Sequence, residues 1–268
     1  MRQMITRSGA LLDLLSMLLL RDLDARYKGS LLGKFWPLIT QASQIALYTY
    51  VFGVILGVRV NIPGLADTKL AFGIWLFAGL LPWLAFTGGL MQAAHAVTGQ
   101  PNLVKKVVFP LPLLPMVPVL SSLVENSFGL VPLLALFGLL THQIHPTVLL
   151  LPFVWVVQIL FTLGFAYIVA GLTVYLRDVP QTVSIILNIW FYLTPIVYPR
   201  TAIPGRLRSF IFSVNPMVAF VDAYRSLILS GRFDQWDEFA GATIFSLVVF
   251  TLGFSLYRRL QPAFADVL

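Results

Sequence analysis

Cysteine is absent from all 268 residues of this chain. That excludes disulfides, thiolate metal sites and a cysteine nucleophile. Histidine is scarce: His95, His142 and His145 are too few and too scattered to suggest a metal centre. Charged residues make up only 11% of the sequence, whereas an average soluble domain carries about 25%. A chain this poor in charge cannot cover a water-facing surface. The phosphate-binding string G-x-x-x-x-G-K-[ST] is also missing. The nearest match, Gly29 to Phe35, is one residue short and lacks a hydroxyl after Lys34, so the chain does not bind ATP in that way. Neither H-E-x-x-H nor G-x-S-x-G occurs, and no apolar segment holds a pair of carboxylates, so a membrane-embedded enzyme has little support. A formal charge of +7 would suit a nucleic-acid binder among soluble proteins. In an apolar chain it reads instead as loop charge that fixes orientation, and no nucleic-acid partner is expected.

What the chain does have is long apolar runs. It is 58% hydrophobic, with a mean hydropathy of +0.87. A spanning helix needs about 20 mostly apolar residues. Phe35 to Val58, Leu70 to Val97, Leu113 to Leu140, Val148 to Leu176 and Phe239 to Tyr257 meet or approach that length, and Thr182 to Tyr198 is shorter and ends near proline. The expectation is an all-α polytopic membrane protein with six transmembrane helices. Ahead of them, Ala10 to Leu20 is apolar apart from Asp13 and Ser16, and too short to span. It reads as an amphipathic helix lying in the membrane interface. Residues 1–34 then form an N-terminal segment and 35–268 the transmembrane domain. Arg21, Arg26, Lys28, Lys34, Lys105, Lys106, Arg177, Arg258 and Arg259 fall on one side of a six-span layout, which marks that side, with both termini, as cytoplasmic. The exception is the long segment from Arg200 to Glu238, which carries five arginines. It holds a short apolar stretch, the pair Asn215-Pro216, and a helical stretch ending at Gly231, and it reads as a re-entrant helical hairpin on the outer face. Such backbone survives at membrane depth only where protein or a water-filled cavity surrounds it.

Two spans carry polar and aromatic faces. At 3.6 residues per turn, Pro37, Gln41, Gln44, Tyr48 and Phe52 share one face of the first span, and Gln181, Ser184, Asn188, Phe191, Tyr192 and Pro195 share one face of the fifth. Amides bond to sugar hydroxyls and aromatic faces lie on apolar sugar faces. The competing explanation is polar glue between packed helices. Neither face is charged, so neither resembles an ion filter. Glu125 is the one acid at clear membrane depth, a functional residue or the partner of a polar group nearby.

The string from Arg21 to Pro37 reads R-D-L-D-A-R-Y-K-G-S-L-L-G-K-F-W-P. It resembles the segment R-D-L-x-x-R-Y-x-x-S-x-L-G-x-x-W that leads into the first span of type-2 ABC exporter permeases. More narrowly it resembles those that export O-antigen, capsular polysaccharide and teichoic acid. Asn102 to Pro110 is similar to the family's loop after span two. Tyr175-Leu-Arg-Asp-Val179 is similar to its R-D turn. Trp190 to Pro199, followed by Asn215-Pro216, is similar to its gate region. Glu125 matches no family motif.

The resemblance implies a transport subunit of the bacterial cytoplasmic (inner) membrane that moves a lipid-linked glycan. It implies a second copy of the same chain, and two copies of a separate ATPase that binds the ATP and magnesium, leaving no cofactor in this chain. Arg21, Arg26, Lys28, Asn102, Lys105 and Lys106 are then expected at the ATPase contact. Gln41, Gln44, Tyr48, Phe52, Asn188, Phe191 and Tyr192 are expected along a channel between the two copies. Pro195, Tyr198, Asn215 and Pro216 are expected at the outer gate. An exporter of lipids or drugs with the same architecture is the alternative, with a glycan-modifying membrane enzyme behind it.

Overall fold

The structure is a computed structural model that describes residues 2–58, 60, 62, 65, 69–106, 109–202, 204–205 and 214–268. The side chains of residues 2–10, 34, 69, 106 and 202 lie outside that description. Regular structure among the described residues is helical throughout: α1 Arg2–Tyr27, α2 Trp36–Tyr48, α3 Lys69–Ala94, α4 Pro101–Lys106, α5 Leu113–Ser127, α6 Leu130–Thr141, α7 Leu151–Tyr175, α8 Val179–Leu193, α9 Pro216–Arg225, α10 Trp236–Leu260 and α11 Phe264–Val267. Proline opens several of these helices at a position whose N–H has no intrahelical partner, as Pro37, Pro152, Pro180 and Pro216 do. α2 continues as a wider π-helical segment, Thr49–Ile55.

Among the described residues, five helical segments are long and apolar enough to cross a membrane: Trp36–Ile55, Leu70–Ala94, Leu113–Thr141, Pro146–Tyr175 and Trp236–Val267. α8 is apolar but has only 15 residues. At 1.5 Å per residue it falls short of the roughly 30 Å hydrocarbon thickness. After Leu193 the chain leaves helix for the turns and bends from Thr194 to Tyr198.

α3 is the hub. Most of its length is buried, including Phe72, Phe77, Phe86 and Leu90. Aromatic rings from three other helices close on it: Phe86 lies 5.0 Å from Phe161 and 5.4 Å from Trp190, and Phe161 lies 5.4 Å from Phe220. α7 and α10 cross so closely that a Cβ on Gly253 would sit 2.1 Å from the Gly164 carbonyl oxygen. Only glycine permits that approach, the usual device where apolar burial cannot drive helices together.

Cross-links fix which ends lie together. Tyr167 and Tyr257 donate to the carbonyls of Pro112 and Leu111, and Tyr175 donates to Leu260 O. One end of the bundle therefore gathers Leu111 and Pro112 ahead of α5, the C-terminal end of α7 and the C-terminal end of α10. At the other end, Thr147 donates to Leu227 O, and Gly231, in a left-handed conformation, abuts the His145 ring.

The N-terminal helix is longer than the apolar stretch from Ala10 to Leu20, running to Tyr27 and packing on α5. In the region expected to form the outer hairpin, residues 203 and 206–213 lie outside the described residues. The arm that follows, α9 and the π turn Ser226–Ser230, is buried almost throughout between α3, α7 and α10.

Candidate functional site

The residues expected at the gate meet where two helices break. α8 ends at Leu193 and α9 begins after Asn215, and the Asn215 amide joins the two ends. Its oxygen accepts from Trp190 Nε1 at 2.8 Å and from the Met217 backbone N–H at 3.1 Å. Its nitrogen donates to Thr194 Oγ1 at 2.9 Å. Thr194 in turn donates to Trp190 O at 2.9 Å. Asn215 is therefore the N-cap of α9 and the fastener of α8 at once. Pro216 supplies the first residue of α9, and Tyr198 folds back to donate to Tyr192 O at 2.6 Å.

Arg225, a residue the sequence did not single out, anchors this break to the hub. It is buried, and its guanidinium lies 3.4 Å above the Trp75 ring. Its nitrogens donate to Pro195 O at 2.7 Å, Ile196 O at 2.6 Å and Trp75 O at 3.2 Å. Carbonyls and a ring face satisfy a cation that would otherwise be very costly away from water. Beside it, Arg200 donates to Asp222 at 2.7 Å and to Glu238 at 3.0 Å. Two of the five arginines that break the charge pattern are thus spent on internal partners. The only sequence signal was the Asp222-x-x-Arg225 spacing, which puts both on one helix face.

The channel candidates divide. On α8, Asn188 and Tyr192 are exposed, Tyr192 to 68%, and Phe191 is half-buried with its ring 5.6 Å from Trp83. On α2, Gln41 is buried and donates to Asn126 Oδ1 at 3.2 Å. Gln44, Tyr48 and Phe52 are half-buried, and the Phe52 ring lies 5.6 Å from Phe72. The α2 stripe therefore faces its own bundle more than the outside, whereas the α8 stripe is open.

The coupling candidates divide as well. Arg21, Lys28, Asn102 and Lys105 are exposed, and the Lys106 side chain lies outside the described residues. Arg21 lines a cleft of about 460 Å³ with Gln92, His95 and Gln100, just ahead of α4. A second cleft, of about 440 Å³, lies between His95, Pro101, Arg177 and the C-terminal Leu268. Arg26 instead points inward, to Glu125 on α5 at 2.8 Å and to Asp22 at 2.7 Å. Tyr27 donates to the other Glu125 oxygen. Glu125, which no motif explained, is thus held by the residues that follow Arg21 in the leading motif. Among the described residues, no three His, Asp or Glu side chains converge as a metal would need.

The long apolar helices among the described residues mark a multi-pass membrane protein. The ABC-2 type transporter family matches residues 13–229, and the chain belongs to that family. It is 32% identical over 99% of its length to the O-antigen export system permease protein RfbA of Myxococcus xanthus, covering 97% of that protein. It is 28% identical to the protein of the same name from Klebsiella pneumoniae, covering 97% of this chain and 96% of that protein. Against the polysialic acid transport protein KpsM of Escherichia coli it is 21% identical, over 92% of this chain and 93% of that protein.

Proposed function

We propose that this chain is the transmembrane subunit of an ATP-driven exporter that moves a lipid-linked, O-antigen-like polysaccharide across the bacterial cytoplasmic membrane. Two copies pair around a central channel, and two copies of a separate ABC ATPase dock on the end that carries Arg21, Lys28, Asn102, Lys105 and Lys106. That end, with both termini, faces the cytoplasm, and α8 with the turns after it completes a sixth crossing. The partner holds the ATP and magnesium, and no catalysis falls to this chain.

The observation that carries the reading is the open face of α8. Asn188 and Tyr192 stay exposed beside a helix break, in a chain whose full-length relatives are named as O-antigen export permeases. A sliding glycan needs many weak contacts, because one tight site would stall it. Exposed amides and rings supply weak contacts with hydroxyls and apolar sugar faces. The proposed lining takes Asn188, Phe191 and Tyr192 from α8, backed by Gln44, Tyr48 and Phe52 from α2. Gln41 stands behind them, bonded to Asn126. The outer gate is the cluster of Pro195, Tyr198, Asn215 and Pro216.

The test is a chromosomal deletion of this chain in its own host. Lipid-linked polymer should accumulate inside the cell, and surface polymer should return when the chain is restored. Undiminished surface polymer in the deletion strain refutes the reading. So does nucleotide hydrolysis by the purified chain alone, since it would assign this chain the ATPase's role.

A further inference from the structure

We infer that Glu125 and Asn126 form a positioning joint that carries motion from the N-terminal helix to the first span; this rests on the transport reading above. The two residues are neighbours on α5 and hold different elements. Glu125 accepts from Arg26 Nη1 at 2.8 Å and from the Tyr27 hydroxyl, both at the end of α1. Arg26 is braced in turn by Asp22, with Nε at 3.1 Å from its carboxylate. Asn126 accepts from Gln41 of α2 at 3.2 Å and donates to Ser122 O at 2.8 Å. The Ser122 hydroxyl donates to Ala85 O of α3 at 3.1 Å. One turn of α5 therefore ties α1 on one side, and α2 and α3 on the other.

The covalent route from α1 to α2 is a poor transmitter. Residues 28–35 hold two glycines with positive φ, 82° at Gly29 and 50° at Gly33. Leu31 in that stretch is fully exposed. Few hydrogen bonds stiffen the stretch, among them Ser30 N to Tyr27 O at 3.2 Å and Trp36 Nε1 to Ser30 Oγ at 2.5 Å. A push on α1 would be absorbed there. The route through α5 has less slack, because polar bonds from three other helices converge on one regular turn of it: Arg26 and Tyr27 on Glu125, Gln41 on Asn126, and Ser122 on Ala85 O.

The chemistry suits a joint that must not slip. The Glu125 and Arg26 side chains are 27% and 19% exposed, and a charge at such a position is costly when it loses its partner. Burial first, and then the Glu125 carboxylate, hold the Tyr27 phenol above its ordinary pKa, so it stays a proton donor. A joint of this kind stays closed while α1 moves as a body.

The experiment uses the full permease with its ATPase in proteoliposomes and measures glycan moved per ATP hydrolysed. Glu125→Gln, Arg26→Gln and Asn126→Leu should each keep complex assembly and hydrolysis within about twofold of wild type. Glycan moved per ATP should fall at least tenfold. The exchange Arg26→Glu with Glu125→Arg should restore at least half of the lost coupling. Tyr27→Phe, which keeps the ion pair, should show an intermediate loss and serves where Glu125→Gln fails to fold. Wild-type glycan per ATP in Glu125→Gln or, should it not fold, in Tyr27→Phe, overturns the joint. So does export that falls only in proportion to folded protein, and so does an exchange that rescues nothing while both single variants uncouple. If the wild-type complex moves no glycan, the transport reading itself fails and the joint falls with it.

Discussion

Replacing Asn215 by alanine should loosen the gate by an amount the geometry allows to be worked out. The side chain is buried and its oxygen serves two donors, Trp190 Nε1 and the Met217 N–H. Loss of an N-cap side chain costs about 1 kcal/mol, which covers the Met217 bond. A buried donor left without an acceptor costs about 1–3 kcal/mol, which applies to Trp190. Side-chain hydrogen bonds between membrane helices average about 0.6 kcal/mol, a fair figure for the bond to Thr194. Together the change removes about 2.6–4.6 kcal/mol of what holds the ends of α8 and α9 together. Tenfold in an equilibrium is about 1.4 kcal/mol, so the fastened state should lose about 70- to 2,000-fold against the loosened one.

The assay is denaturant titration of the permease in mixed micelles, run beside export per folded molecule. Asn215→Asp keeps an acceptor for both donors but loses the bond to Thr194, and it places a charge at a buried site. Asn215→Ser keeps only the cap, so it should recover about 1 kcal/mol. Thr194→Val tests the remaining bond. An alanine variant within about 0.5 kcal/mol of wild type would refute the reasoning, because the Trp190 and Met217 donors would then have found other acceptors.

Four further outcomes follow from other parts of the molecule. Gly253→Ala should cost about 1–3 kcal/mol of stability by overpacking, since a Cβ there meets the Gly164 carbonyl at 2.1 Å; wild-type stability would undo the described crossing of α7 and α10. Tyr192→Ala should cut export per folded molecule several-fold with little loss of stability, because the ring is 68% exposed, and normal export would remove it from the lining. Lys105→Glu should weaken copurification with the ATPase, and unchanged assembly would take it out of that contact. Single cysteines in this cysteine-free chain should label at Lys105→Cys only from the cytoplasmic side and at Lys69→Cys only from the outer side, and the reverse pattern would overturn the orientation.

The contrast between α2 and α8 shows where sequence reasoning ran out. Helical periodicity placed Gln41, Gln44, Tyr48 and Phe52 on one face as surely as it placed Asn188 and Tyr192. It could not say what each face meets. In a soluble helix the polar side faces water, so a polar stripe reveals its own orientation. In lipid, helices pack without a hydrophobic contrast between core and surroundings, and polar groups turn toward one another. Gln41 followed that rule by bonding to Asn126, 85 residues away, while Tyr192 was left open beside a break. The same limit hid the partner of Glu125: Arg26 reads as a surface cation of the leading motif until the fold sets it 99 residues up the chain against a carboxylate. Span lengths and local motifs were legible because 20 apolar residues or an Arg-Asp pair need no distant context. Polar pairs between helices were not, because each needs a second residue that only the packed bundle supplies. The residues most open to surprise in such a chain are therefore the polar ones turned into the bundle, and here several of them join the helices at two breaks: after Tyr27 and after Leu193.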